Sequence, residues 1–243
     1  MDIAILFALI VLNGLFAMSA RENLAYIRHR ALAPDPWLLV EHARALIGRY
    51  LSEPPAAVDT LVFWCLHAWT HARFGVSPRL ILHGRDPRAD HGRALRLLRW
   101  LTPGPRLVSR ATAATVLELL AHERATLLLD DAANAILLRR DMRVLIAAGA
   151  RQDGMFLVQR GRRKESAFRR CAAPLAIATS LPPPEAVLAH AIVLPMAPAL
   201  VGGGDGAGRP QIGETPSDDA RALAAEMQAF ARGLAQRELA PTA

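Results

Sequence analysis

Six residues, Thr126-Leu127-Leu128-Leu129-Asp130-Asp131, constrain this chain more than any other stretch. A short apolar run with helical periodicity on both sides reads as a central strand of a parallel sheet, buried on both faces. It ends abruptly in two adjacent carboxylates. In open α/β sheets the carboxyl ends of the strands are where ligands sit. Two acids in that place suit a metal–phosphate site, the first ordering Mg²⁺ and its water and the second polarising an attacking water. They equally suit a structural task, ending the strand and capping the next segment. Whether a phosphate-binding loop lies upstream decides between the two.

The chain of 243 residues is 52% hydrophobic and 21% charged, which makes it a core-forming chain and excludes a disordered one. Its length suits one α/β domain of about 150–200 residues with extensions. The formal charge of +7 and a pI near 10.7 come mostly from arginine. An excess of that sign fits an anionic partner (nucleic acid, anionic lipid or nucleotide) without choosing among them. Cys65 and Cys171 are too few for a disulfide framework, and both sit in apolar surroundings. Free buried thiols in a reducing compartment are expected.

Ile3 to Met18 is apolar except for Asn13 and Gly14. That is slightly short for a membrane span, which needs about 20 residues of helix. No Lys or Arg precedes it, as a secretory signal would require, whereas Arg21, Arg28 and Arg30 come soon after it. Residues 1–20 are therefore expected to form a hydrophobic helix and a candidate anchor, leaving the rest of the chain on the cytoplasmic side of the inner membrane. The alternative is a greasy helix docked on the domain. The wording Leu12 to Ala20 resembles the opening transmembrane helix of hemolysin/CorC-type membrane proteins, over that one helix only.

Pro36 opens a helical pattern with Leu39, Ala43, Leu46, Ile47 and Tyr50, closed by Ser52-Glu53-Pro54-Pro55. A second helix, Ala56 to Arg73, is apolar nearly all round and so belongs inside something large. His67 and His71 lie one turn apart on it, a spacing that suits a shared metal, but no third ligand is evident and a packed pair is the simpler reading. Pro78 to Leu82 reads as a strand, Arg93 to Leu101 as a helix, Arg106 to Ser109 as a strand and Thr112 to His122 as a helix leading into Asp130–Asp131. Arg140 to Ala150 reads as a helix, then come strands at Met155–Val158, Leu175–Ala178 and Ala191–Leu194. This alternation implies an α/β fold, a mostly parallel sheet with helices on both faces, over residues 36–200. A glycine-rich linker spans 201–216, and Ser217 caps a last helix, 217–240, with Leu223, Met227, Phe230 and Leu234 docking on the domain.

Strand, ten-residue loop, helix is the layout of a P-loop, which cradles phosphate with backbone amides, a Lys and a Mg²⁺-binding Ser or Thr. The loop here reads Gly84-Arg85-Asp86-Pro87-Arg88-Ala89-Asp90-His91-Gly92-Arg93. With Val76 to Leu80, Arg124 to Asp131, Gly149 to Gly154 and Leu188 to Met196, it resembles a P-loop ATPase-like domain of unknown function from bacterial mobile elements, associated with primase and helicase modules. That resemblance implies nucleotide binding at Asp90, His91, Gly92 and Arg93, catalysis by Asp130 and Asp131, and Mg²⁺ on Asp130. Yet Asp90-His91-Gly92 stands where the family carries Gly-Lys-Thr, and Asp131 where it carries Glu. Ala147, Ala150 and His190 replace its Asn, His and Arg. The expectation is a degenerate, hydrolysis-inactive module with a binding or regulatory role and no cofactor. Two alternatives stay open: a divergent NTPase using ATP and Mg²⁺ through Arg93 and Asp130, and a basic nucleic-acid-binding protein.

For the latter, Arg160, Arg162, Arg163 and Lys164, continued by Arg169 and Arg170, read as a basic loop between two strands. Such a loop can track a nucleic-acid backbone or anionic lipid headgroups, or simply be solvated; it has no aromatic interleaving for base stacking, Phe168 standing alone.

Overall fold

A computed structural model describes residues 34–84, 91–122, 125–131, 136–160, 165–196 and 210–239. The apolar segment 1–20, Asp90, Arg162, Arg163, Lys164 and most of the expected linker lie outside the described residues. Among those described, no helix is long and apolar enough to cross a membrane.

The first helix, α1 (Pro36–Tyr50), starts as the sequence dictates: Asp35 accepts the Trp37 amide at 2.9 Å and proline fills the first turn. α2 (Pro55–Thr70) runs on into a 3₁₀ turn, His71–Arg73. Its all-round apolar surface is covered, and even its indoles find partners, Trp64 Nε1 donating to Pro78 O and Trp69 Nε1 to Leu101 O.

Then come β1 (Arg79–His83), α3 (His91–Leu101), β2 (Pro105–Ser109), α4 (Ala113–His122), β3 (Thr126–Asp131) and α5 (Arg140–Ala148). β4 (Met155–Arg160) and β5 (Glu165–Arg170) precede β6 (Leu175–Thr179), the short α6 (Glu185–Leu188), β7 (Ala191–Pro195) and α7 (Asp218–Leu239). Five strands form one parallel sheet in the order β2-β3-β6-β1-β7.

Strand alternation divides the core in two. Leu80, Leu82, Leu128, Ala176 and Ala178 face α1, α2, α3 and α7, while Ile81, Leu127, Leu129, Leu175 and Ile177 face α4, α5 and α6. The chain thus leaves β1 toward one face and leaves β3 and β6 toward the other. Beyond the C-terminal ends of β1 and β6 is where such a sheet takes a ligand. The last helix docks as its stripe requires: Ser217 Oγ accepts the Ala220 amide, and Leu223 and Met227 are buried in the core with Phe230 packed against it.

Two expectations are corrected. Met155–Val158 does not join the parallel sheet; β4 pairs antiparallel with β5 as a separate hairpin. The stretch read as a basic loop is in part a strand, since Arg169 and Arg170 lie on β5 and Arg160 ends β4 opposite Glu165. Pairing runs through the backbone, so a strand with a solvated side carries arginines that composition alone assigns to a loop.

Two glycines fix the hairpin to the domain. A side chain on Gly149 would lie 2.4 Å from Cys171 O, and one on Gly154 would lie 2.1 Å from Ala148 O. The turn from α5 into β4 closes only where no Cβ is present.

Candidate nucleotide-type site at the strand ends

β1 ends at His83, and the Gly84 amide continues the ladder by donating to Thr179 O at 3.2 Å. α3 begins at His91, so His91 and Gly92 stand in its first turn, the positive end of the helix dipole. Gly92 brings no hydroxyl for a metal. Arg93, the cation expected to stand in for the missing lysine, is held elsewhere. Its Nε donates to Tyr50 O at 2.7 Å and its Nη2 to Pro210 O at 2.5 Å. Tyr50 is the last residue of α1, so Arg93 serves as a cationic cap for that helix and a tie to the C-terminal arm.

At the end of β3 the two carboxylates diverge. Leu128 faces α3 and Leu129 faces α5, and by the same alternation Asp130 falls on the α3 side and Asp131 on the other. Asp131 is 1% exposed. Its Oδ1 accepts the Ile136 amide at 2.7 Å and its Oδ2 accepts the Leu137 amide at 3.0 Å. Those bonds tie Ile136 and Leu137, both buried in the core, to the end of β3. Asp130 is partly exposed and lies in register between Ser109 and Ala178.

The residue between the two halves of this edge is Thr179. It is fully buried, in register with Asp131 on one side and His83 on the other, and its Oγ1 accepts the Leu181 amide at 3.2 Å. Sequence reasoning misses it. The available signal is the polar pair Thr179-Ser180 ending an apolar run before Pro182.

Three positions assigned by resemblance to phosphate chemistry are at the wrong end of the sheet. The Arg79 amide, opening β1, donates to His190 O, and the Ser77 amide, before β1, donates to Ala150 O. Ala147 lies at the end of α5 beside them. Each five-residue strand spans roughly 16 Å, so Ala147, Ala150 and His190 cannot reach a group held near His83 or Asp130. What occupies that opposite edge is Arg79. It is 1% exposed, donates from Nε to Ile146 O at 3.0 Å and from Nη1 to Ala173 O, and burial holds its pKa down at about 9. It fastens the C-terminal turn of α5 to the start of β6, a structural role.

Mg²⁺ wants several hard oxygens, and both Asp131 oxygens already accept amides. Among the described residues no group of three His, Cys, Asp or Glu could hold a metal. The His67–His71 pair is a packed one: His67 Nε2 meets Ser77 Oγ at 3.0 Å and His71 Nδ1 meets Ala68 O at 3.1 Å. Both cysteines are free and buried, and burial pushes their thiols up.

No family model matches the sequence, and none of the curated proteins does. Among solved structures, the chain is similar to the A-form apo structure of the NrS-1 C-terminal region. The likeness has a TM-score of 0.43 at 11% identity and covers 84% of this chain. The chain spans 46% of that structure's length.

Away from the strand ends, the hairpin carries the described basic candidates. Arg169 and Arg170 are exposed on β5, and Arg170 Nη2 donates to Gln152 Oε1 at 3.3 Å.

Proposed function

We propose that this chain is a P-loop NTPase-like module that does not hydrolyse nucleotide and acts by binding or regulation. The setting suggested by its sequence resemblance is mobile-element DNA metabolism. One observation carries the reading: Asp131, in the place of the catalytic acid, gives both oxygens to the amides of Ile136 and Leu137. A general base must present a lone pair to water, and this carboxylate has its oxygens turned to the backbone in a buried site. The cation side agrees, because Arg93 is held by two carbonyls and Gly92 has no hydroxyl. The test is calorimetric titration with ATP and Mg²⁺ alongside phosphate release. No turnover above background is expected. Tight binding with turnover that Asp130→Ala abolishes would establish the divergent NTPase in its place.

A second reading concerns the hairpin. Residues 155–170 hold six basic side chains and one acid, leaving +5 of the chain's +7 on one sixteen-residue element. Arginine spread evenly by composition would not concentrate this way, so contact with a polyanion, nucleic acid or anionic lipid, is favoured. It predicts binding that weakens steeply with salt.

A further inference from the structure

We infer that the outer face of the β4–β5 hairpin is a contact surface for single-stranded nucleic acid, with Phe168 and Leu157 as the base platform. The inference rests on the polyanion reading of the hairpin and names its partner. Alternation puts Met155 and Leu157 of β4 on one face with Phe168 and Arg170 of β5, in the register Leu157↔Phe168 and Met155↔Arg170. Phe156 and Val158, on the other face, pack against the core. The outward residues are large, apolar and exposed: Phe168 69%, Leu157 51% and Met155 48%.

Single exposed apolar residues are ordinary, but three adjoining ones on one face of a two-stranded element mark an interaction site. The charge around them selects the partner. An apolar protein surface would leave Arg170, on this same face, desolvated without counter-charge, whereas a nucleic-acid strand offers phosphates beside bases. Only an unpaired base presents its flat face to a ring, so the platform favours single strands over duplex. Phe168 supplies that ring, Leu157 and Met155 extend its apolar floor, and Arg170, opposite Met155 on the same face, takes a phosphate.

The experiment is fluorescence anisotropy of the full chain with a labelled oligothymidylate and with a duplex of equal length, over a salt series. Vesicles of phosphatidylglycerol serve as the lipid arm. Wild-type protein is expected to prefer the single strand. Phe168→Ala should weaken that binding on the order of tenfold, the size of one lost stack, leaving duplex binding and the salt slope unchanged. Phe168→Tyr should restore it. Arg170→Ser should weaken both nucleic acids and flatten the salt slope by about one. If Phe168→Ala changes nothing while the arginine variant weakens both, the base platform falls and the polyanion reading stands. Binding to vesicles but not to oligonucleotides overturns the platform and keeps the polyanion reading. Binding to neither overturns both.

Discussion

The carboxylate of Asp131, the last residue of β3, and the backbone amide of Ile136 meet at 2.7 Å. With the neighbouring Leu137 amide at 3.0 Å, this makes Asp131 the peg that holds Ile136 and Leu137 to the end of β3. Removing the peg leaves two buried donors without an acceptor, each costing about 1–3 kcal/mol. Asp131→Ala should therefore destabilise the fold by about 2–5 kcal/mol, read as a lower urea midpoint. Asp131→Asn keeps one acceptor and should lose roughly half as much. Asp131→Glu pushes an extra methylene into a closed site and should lose about 1–3 kcal/mol. If Asp131→Glu were neutral in stability, the carboxylate would have room to act on something other than the backbone.

Arg93 links three parts of the chain by two bonds, the start of α3, the end of α1 and the arm leading to α7. It is only partly buried, so Arg93→Ala should lower global stability by a modest ~1–2 kcal/mol. The sharper effect is local. Amide hydrogen exchange at 210–239 should speed up, because the arm loses a tie that its exposed ion pair Arg49–Asp219 replaces poorly. Arg93→Lys should give most of the same loss, since one ammonium cannot reach Tyr50 O and Pro210 O in the same fork. Unchanged exchange in both variants would show that these bonds do not hold the arm.

His67 predicts how stability depends on pH. Burial, helped by the nearby charges of His71 and Arg79, holds its pKa down at about 4. In the unfolded chain it titrates near about 6.5. Between those values the unfolded state binds a proton that the folded state refuses, so stability rises with pH through the window. The contribution is fully present above the unfolded value and is lost as pH falls toward about 4, by on the order of 3 kcal/mol in all. Urea midpoints measured from neutral pH down to the lower end should fall more steeply for the wild type than for His67→Gln. Equal slopes would mean that His67 is protonated in the folded state.

How much of this is legible in the residues depends on where each interaction's partners lie. Leu127–Leu129 and Leu175–Ala178 are continuous apolar runs, and their burial on both faces comes from that alone. Ser217 stands directly before α7 and caps it, another local signal. Arg93 is different, for its acceptors are 43 and 117 residues away and nothing near it announces them. Asp131 lies between the two cases. A capping role is one of the two readings its position allows, but which amides it holds depends on a loop without a signature. β4 is legible as the apolar run Met155–Val158, whereas β5 escapes sequence reasoning because Arg169 and Arg170, following the basic run Arg160 to Lys164, suggest a loop. The three misplaced positions, Ala147, Ala150 and His190, fail because resemblance in linear order does not say at which end of a strand a residue falls.

Two glycines of the same composition should respond oppositely to alanine. Gly48 lies inside α1 with nothing within 4 Å of where a Cβ would stand, so Gly48→Ala meets no clash. It gains helix propensity and should stabilise the protein by about 0.5–1 kcal/mol. Gly154 sits where the backbone of β4 passes Ala148, and its added Cβ would lie 2.1 Å from that carbonyl oxygen, with Arg151 O at 2.9 Å. Backbone must move to admit it, and what moves is the junction of α5 with the hairpin. Gly154→Ala should destabilise by about 1–3 kcal/mol or more, in the range of an overpacked core. It should also lower oligonucleotide affinity, because the hairpin that bears Phe168 is aimed from that junction. Paired thermal melts of Gly48→Ala and Gly154→Ala, one midpoint rising and the other falling, check the packing argument. A Gly154→Ala protein with unchanged midpoint would show that the turn between α5 and β4 is open enough to hold a side chain.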